Sequence, residues 1–237
     1  MNLHCRYYHF QTLDSTNAFA KRELFSFSEN DLTIITADQQ THGYGRLQRH
    51  WHSPQDGNLY LTLVLFDERP PILFSKLAVL CLEQLVYTID NAVKIKWPND
   101  LLVYGKKIAG VLVEVKQKNE YTAIIIGIGL NINMSQKEIE QIPKRATSLT
   151  CLTDEVYDPT TIQQKFIDCF LSHLHFSKEA IFELWRKKIS WMIGSEVTIE
   201  LVREKISGII QGFEADGTLL LDVGNSTIRR ITTGDLL

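Results

Sequence analysis

Apolar and polar positions along the chain fall first into strand-like blocks and later into helical spacing. Cys5 to Phe10 reads as an opening strand, and the polar run Leu13-Asp14-Ser15-Thr16-Asn17 leads into good helix formers over Ala18–Phe25. Asp14 or Ser15 is the natural N-cap there, because a short oxygen-bearing side chain can accept from the free N–H groups of a first turn. Leu32–Ala37 and Leu59–Phe66 are β-branched and leucine-rich strands, separated by a polar, glycine-punctuated loop from Asp38 to Asn58. A loop of that length in a compact protein is usually functional or mobile. The apolar run Ile72 to Ile89 is interrupted by Lys76, Glu83 and Gln84, which makes it a buried helix rather than a membrane span.

Beyond it, Val93-Lys94-Ile95-Lys96-Trp97 alternates, so both lysines share one face of a strand. Pro98 disfavours helix at Trp97, and Asn99-Asp100 turns the chain. Leu101–Tyr104, Lys107–Val115 and Tyr121–Asn131 follow as antiparallel strands, joined at Gly105-Lys106 and Lys118-Asn119. Two helices are predicted over Pro159–His173 and Lys178–Ser190. From Gly194 the pattern changes to short alternating strands with turns at Ala215-Asp216-Gly217 and Gly224-Asn225, the spacing of a small β-barrel. The expected fold class is α+β, a mixed or antiparallel sheet packed against helices with a small all-β tail. The domain boundaries follow as 1–190 and 191–237.

Composition narrows the function classes. The 237 residues are 44% hydrophobic and 22% charged, as in an ordinary globular protein, with a formal net charge of −3. Broad attraction for nucleic acid is therefore not expected, and the tail balances Arg203, Lys205, Arg229 and Arg230 with six acidic groups, Glu200, Glu204, Glu214, Asp216, Asp222 and Asp235. Cys5, Cys81, Cys151 and Cys169 show neither a C-x-x-C pair nor zinc-ligand spacing; Cys81 and Cys169 read as small core residues. No signal peptide precedes them, so a reducing, cytoplasmic setting is expected, with no membrane association.

Three segments combine polar groups with a restricted backbone. Ser15-Thr16-Asn17 opens a helix and can either cap it or bind a small polar head group. In Gln40-Thr41-His42-Gly43-Tyr44-Gly45-Arg46-Leu47-Gln48-Arg49-His50-Trp51, glycines let backbone approach a ligand and two arginines offer forked donors to phosphate. The alternative is a solvated loop. It is not a Walker A loop, since no Gly-Lys-Ser/Thr follows. Lys96-Trp97-Pro98-Asn99-Asp100 fixes a lysine before a rigid turn, where its point charge suits a phosphate or acyl phosphate; a solvated edge-strand lysine is the plainer reading. Gly127-Ile128-Gly129-Leu130-Asn131 lacks the third glycine and the crossover helix of a dinucleotide fingerprint, and reads as a strand end approached by a ligand or another backbone. His42, His50 and His52 lie in one loop, but no carboxylate or thiolate completes a metal site beside them; His173 and His175 sit at a helix end, where capping is the expected role.

Together with Gly57-Asn58-Leu59-Tyr60-Leu61, Lys107-Ile108-Ala109-Gly110-Val111-Leu112-Val113-Glu114, Thr147-Ser148-Leu149 and the Gly194…Gly212…Asp216-Gly217…Gly234-Asp235 tail, these segments resemble the biotin–protein ligases over most of the chain. The resemblance implies a catalytic domain like that of class II aminoacyl-tRNA synthetases and a C-terminal SH3-like barrel. It implies ATP, Mg²⁺ and biotin as reactants, a biotinyl-5′-AMP intermediate, and transfer to a lysine of a biotin carboxyl carrier protein. Lys96 and Arg46 are the implied catalytic groups. The implied biotin site is Ser15, Thr16, Asn17, Gln40, Tyr44, Gly45, Arg46, Lys96, Gly110 and Ile128; the implied ATP site is Gly43, Arg46, Arg49, Trp51, Lys96 and Asn131. Metal ligands are not identified, and a homodimer stays open.

Two positions depart from the family pattern. Tyr44 stands where many members carry arginine, removing one positive charge from the clamp. Gln48 replaces a glycine and is expected to stiffen the loop, because glutamine avoids positive φ. The motifs begin at Ser15, so an N-terminal DNA-binding domain is not expected. The rival reading is a lipoate or octanoate ligase or transferase of the same fold.

Overall fold

The computed structural model describes residues 3–55, 57–225 and 227–237. The larger sheet has seven strands: β1 (His4–Leu13), β2 (Asp31–Gln40), β3 (Leu59–Phe66), β4 (Val93–Lys96), β5 (Asp100–Val103), β6 (Lys106–Lys118) and β7 (Tyr121–Leu130). Their order is β1-β2-β3-β7-β6-β5-β4. Only β1 and β2 run parallel; the other neighbours are antiparallel, so the sheet is mixed. Strand β2 runs three residues past Ala37, so the long loop starts at Thr41 rather than Asp38. The turn after Lys96 falls at residues 97–99, with a cis Trp97–Pro98 peptide, and Asp100 already belongs to β5.

Both faces of the sheet are covered, which is why β3 reads as an almost unbroken apolar run rather than an alternation. Helix α1 (Thr16–Arg22) lies on one face with Ile35, Val64, Ala123 and Ile125. Helices α2 (Pro71–Tyr87), α5 (Pro159–His173) and α6 (Lys178–Ile189) cover the other, with Ile34, Leu63, Ile124 and Ile126. Successive residues of β7 thus point to opposite helices, as the period of two requires. Two short helices between them, α3 (Gln136–Ile139) and α4 (Leu149–Thr153), escape sequence periodicity because neither completes two turns. Among the described residues no helix is long and apolar enough to cross a membrane.

The second sheet contains β8 (Glu196–Glu200), β9 (Lys205–Phe213), β10 (Leu219–Asp222), β11 (Ile228–Ile231) and β12 (Asp235–Leu236), in the order β11-β10-β9-β8-β12. All its pairings are antiparallel, in keeping with an SH3-like domain. It docks on the first through a buried joint. Trp97 Nε1 donates to the Gly217 carbonyl at 3.1 Å, and Trp185 meets Phe213 edge-on at 5.5 Å between ring centroids. Lys76 of α2 is fully buried there; its ammonium donates to the Pro98 carbonyl at 3.0 Å and lies 3.8 Å from the Trp185 ring centroid. Burial, and secondarily Arg46, pulls the Lys76 pKa down to about 7. Gly217 has φ +86°, and a Cβ there would stand 2.8 Å from Lys76 Cε, so turn geometry and packing both require glycine.

Candidate active site

The first part of the site is polar and closely hydrogen-bonded. Ser15 is the cap of α1, its Oγ accepting from Ala18 N at 3.4 Å, while Asp14 Oδ1 accepts from Ser15 N at 2.8 Å. Gln40, at the end of β2, reaches this turn: its Oε1 accepts from Thr16 N at 2.9 Å and Thr16 Oγ1 at 3.2 Å, and its Nε2 donates to Ser53 Oγ at 3.0 Å. Asn17 is buried and doubly engaged, accepting from Thr62 Oγ1 at 2.6 Å and donating to Glu114 Oε2 at 2.9 Å. Glycine at 127 makes this possible, since a Cβ there would overlap the Asn17 carboxamide.

Glu114 gathers this region. Besides Asn17 it accepts from Tyr44 Oη at 3.0 Å and from Lys21 Nζ at 2.8 Å. Burial lowers the Lys21 pKa, but hydrogen bonds with Glu114 and Tyr44 outweigh it and hold the pKa above the ordinary value. The Tyr44 phenol is pushed up by burial and by the Glu114 charge. Tyr44 therefore does more than remove a charge: it pins the glycine-rich loop to β6.

That loop folds back on itself. Gly43 O accepts from Trp51 N at 2.9 Å, Gly45 N donates to Arg49 O at 2.8 Å, and Tyr44 and His50 form a bridge. Leu47 and Gln48 adopt φ of +54° and +56°. The expectation that glutamine keeps residue 48 out of the left-handed region is thus corrected: the turn closed by Arg49 N on Arg46 O imposes the conformation on both residues. The reason for Gly43 also changes. A Cβ there would lie 2.5 Å from Ser53 Oγ, 2.8 Å from Trp51 O and 2.9 Å from Gln40 Nε2, so its own chain excludes a side chain. Gly45 is open, its nearest neighbour 3.8 Å away.

The second part of the site is cationic, and it meets the C-terminal sheet. Lys96 Nζ donates to the Leu236 carbonyl at 2.9 Å. Arg46 donates to Thr233 Oγ1 at 2.7 Å and lies 3.8 Å from Asp235. Arg49 pairs with both Asp235 and Glu200. Three cations from two distant stretches of sequence so converge on residues 233–236. Burial lowers the pKa of Lys96, against the opposing pull of Asp100, with Lys107 and Lys144 adding to the depression. Burial likewise lowers Arg46, opposed by Asp235 and Asp100.

Between the two parts, Trp51 lies against Gly129, where a Cβ would come within 2.5 Å of the indole, and Lys107 Nζ is 5.0 Å from its ring centroid. The Trp51 Nε1–H is buried and has no hydrogen-bond partner among the described residues. Gly110 pairs with Gly129 across β6 and β7, on the Trp51 face; a Cβ at 110 would meet Asp100 Oδ1 and Lys107 Nζ at 3.2 Å, and those two are paired at 2.7 Å. Gly127 and Gly129 lie at the end of β7 as expected, and what approaches them there is the side chains of Asn17 and Trp51 rather than another backbone. Ile128, one residue off in register, points its side chain into the α2 core, so only its backbone faces the site. Asn131 is buried and donates to the Thr147 carbonyl at 3.0 Å, tying the end of β7 to the segment before α4.

Sequence reasoning gave no role to Glu114, Lys21, Thr62, Glu200, Thr233 or Asp235. Glu114 closes the Lys107–Glu114 motif and Asp235 closes the tail motif, but no spacing rule connects either to partners 70 or more positions away.

Residues 9–131 match the biotin/lipoate A/B protein ligase family, and residues 192–236 match the biotin protein ligase C-terminal domain. The chain is 30% identical over 239 residues to the bifunctional ligase/repressor BirA of Bacillus subtilis (strain 168), covering 97% of this chain and 72% of that protein. It is 29% identical over 235 residues to a biotin–[acetyl-CoA-carboxylase] ligase of Mycobacterium tuberculosis (strain ATCC 25618 / H37Rv), covering 94% and 85%. Among solved structures, a biotin protein ligase from Aquifex aeolicus in complex with biotin and ATP superposes with a TM-score of 0.79 at 26% identity, covering 98% of this chain and 97% of that one.

Proposed function

The chain belongs to the biotin/lipoate A/B protein ligase family, and we propose that its site activates biotin with ATP and passes it to a lysine of a biotin carboxyl carrier domain. The observation that carries this reading is the meeting of Lys96, Arg46 and Arg49 beside a separate polar pocket built on Thr16, Asn17 and Gln40. A match to the C-terminal domain of biotin protein ligases favours biotin over lipoate or octanoate.

The chemistry needs positioning and charge stabilisation, and no covalent nucleophile on the protein. A biotin carboxylate oxygen attacks the α-phosphorus of ATP, the bond to the β-phosphate oxygen breaks, and pyrophosphate leaves. The acceptor lysine amine then attacks the acyl carbon of the mixed anhydride, and AMP departs. Both steps concentrate negative charge on oxygens around one carbon–oxygen–phosphorus linkage. Lys96, held on a strand end before a fixed turn, is placed to stabilise that charge in both steps, and Arg46 and Arg49 to bind the phosphates. Ser15, Thr16 and Gln40 provide the polar groups for the ureido ring, and Asn17 supports them or the carboxylate end. Trp51, with its unpartnered indole N–H, walls the space between.

A magnesium ion bound by protein alone does not fit this site. Before ATP binds, Asp100 is paired with Lys107 and Asp235 with Arg46 and Arg49, so among the described residues these carboxylates offer no open set of oxygen donors. The cation would arrive on the triphosphate, and no step is assigned to a protein-held metal.

Pyrophosphate–ATP exchange with biotin, lipoate or octanoate in parallel tests the reading. Exchange that requires biotin is the expected result; exchange with lipoate alone would overturn the substrate assignment and keep the adenylation chemistry.

A further inference from the structure

On the helical face of the sheet, opposite α1, the packing of α2 on α5 brings together three side chains with no part in the chemistry above. Cys169 and His173 are separated by four residues on α5, so they project from one face of that helix. Cys81 comes from α2 and is buried. Cys81 is a core residue as expected, and Cys169 packs against the core while partly buried, with polar neighbours. Its Sγ is 3.7 Å from His173 Nδ1 and 3.5 Å from Gln84 Oε1, and Gln84 stands one helical turn on from Cys81. One donor atom from each of Cys81, Cys169 and His173 can be chosen so that all lie within 4.8 Å of one another. A cavity of about 220 Å³ lined by Cys81, Gln84 and His173 gives access.

We propose that Cys81, Cys169 and His173 form a binding site for a soft d¹⁰ cation of the zinc type, with Gln84 or a water as the fourth donor. Two sulfurs and an imidazole nitrogen are the donor set such an ion selects over hard cations, which prefer oxygen. Tetrahedral bonds to sulfur and nitrogen hold donors about 3.5–3.8 Å apart, so the 3.7 Å pair already fits and the third donor closes by about an ångström at most. As the two metal–sulfur bonds form, two thiol protons pass to solvent, and the two thiolates balance the charge of the ion. Nearby, Glu83 is paired with Lys188 at 2.8 Å and adds no uncompensated charge. His173 Nδ1 also lies 2.8 Å from the Cys169 carbonyl; coordination through this nitrogen exchanges that contact for a metal bond. The site would clamp α2 to α5, behind the sheet that carries the substrate pocket.

The test uses the full-length reduced protein titrated with Zn²⁺ against a chromogenic chelator, and with Co²⁺ as a spectroscopic probe. One equivalent should bind, and cobalt should show thiolate-to-metal charge transfer together with intense tetrahedral d–d bands. Cys169→Ala should abolish the charge-transfer signature of a two-thiolate site, and His173→Ala should weaken zinc binding by about a hundredfold or more. Cys151→Ala, on α4, should bind as wild type. Biotin-dependent pyrophosphate exchange should be unchanged in Cys169→Ala, which separates a binding defect from misfolding. Absence of thiolate–cobalt absorption in the reduced protein would overturn the proposal. So would zinc binding that survives the Cys169→Ala/His173→Ala double substitution, because the ion would then sit elsewhere.

Discussion

Around Thr16 and Gln40 the polar side chains find their partners within the catalytic sheet and its helix, whereas Lys96, Arg46 and Arg49 find theirs on the C-terminal sheet. In the first set Gln40 holds Thr16 by neutral hydrogen bonds, while Asn17 and Tyr44 donate to the Glu114 carboxylate, charge-assisted bonds worth on the order of 1.5–3 kcal/mol each. The second is tied by ion pairs with side chains 15% to 32% exposed, and such pairs contribute roughly 0–1 kcal/mol each. Strong internal bonds preorganise a pocket for a neutral ring. Weak pairs to carboxylates, by contrast, are contacts that phosphate oxygens can replace. On the function proposed above, Asp235 and Glu200 occupy the place of an anion, and the C-terminal domain would hold the cations in position until ATP takes over.

The comparison is tested most severely at Lys96, which the substrate does not replace. Lys96→Ala should slow adenylation and transfer alike in single-turnover assays, by about a hundredfold or more, as for loss of a preorganised electrostatic group. Unchanged adenylation would remove Lys96 from its role. Its depressed pKa sets a pH dependence. The protonated form is the active one, so the rate should fall as pH rises through a value below that of an ordinary lysine. Lys96→Arg, which stays charged, should move that falling limb to higher pH.

At the hydrogen-bonded end, Glu114→Gln removes the charge that Lys21, Tyr44 and Asn17 share. The KM for biotin should rise by about tenfold or more, the worth of one charge-assisted hydrogen bond, with the KM for ATP nearly still. A change in both constants together would mean that the two ends are not built independently. Arg46→Gly addresses the loop that spans them: it should still form the adenylate but release it early. Biotin transfer onto bystander proteins should rise several-fold over wild type, and no rise would sink the idea.

How legible each end was in the sequence follows from the range of the contacts. Strand β3, a continuous apolar run, and helix α5, an amphipathic repeat, fall where the sequence pattern places them, because burial and local patterning coincide there. The substrate contacts proposed here lie in short motifs, so Gln40, Arg46 and Lys96 could be named from the sequence. What holds them could not. Glu114 reaches Asn17 across 97 positions and Leu236 reaches Lys96 across 140, and such pairs exist only once the sheets are assembled. Ile128 shows the cost of a single step in register: its motif is sound, but the alternation of β7 turns its side chain into the α2 core. Gln48 shows the reverse, a local preference overridden by the closure of its turn.

The smallest effect and the sharpest distinction come from Asp235→Asn. If the carboxylate only fixes the arginines in place, neutralising it scatters them and the KM for ATP rises. The exposure of the pairs favours the other outcome. Asp235 contacts both Arg46 and Arg49, and a triphosphate offers them more charge than one carboxylate does. Removing a competitor worth roughly 1 kcal/mol should lower the KM for ATP by about threefold to fivefold, leaving kcat and the KM for biotin close to wild type. Raising the salt concentration should narrow this difference, since the pair that is lost is itself screened. A steady-state comparison at two ionic strengths measures both, and a KM for ATP that rises would show that the C-terminal carboxylates build the phosphate site instead of reserving it.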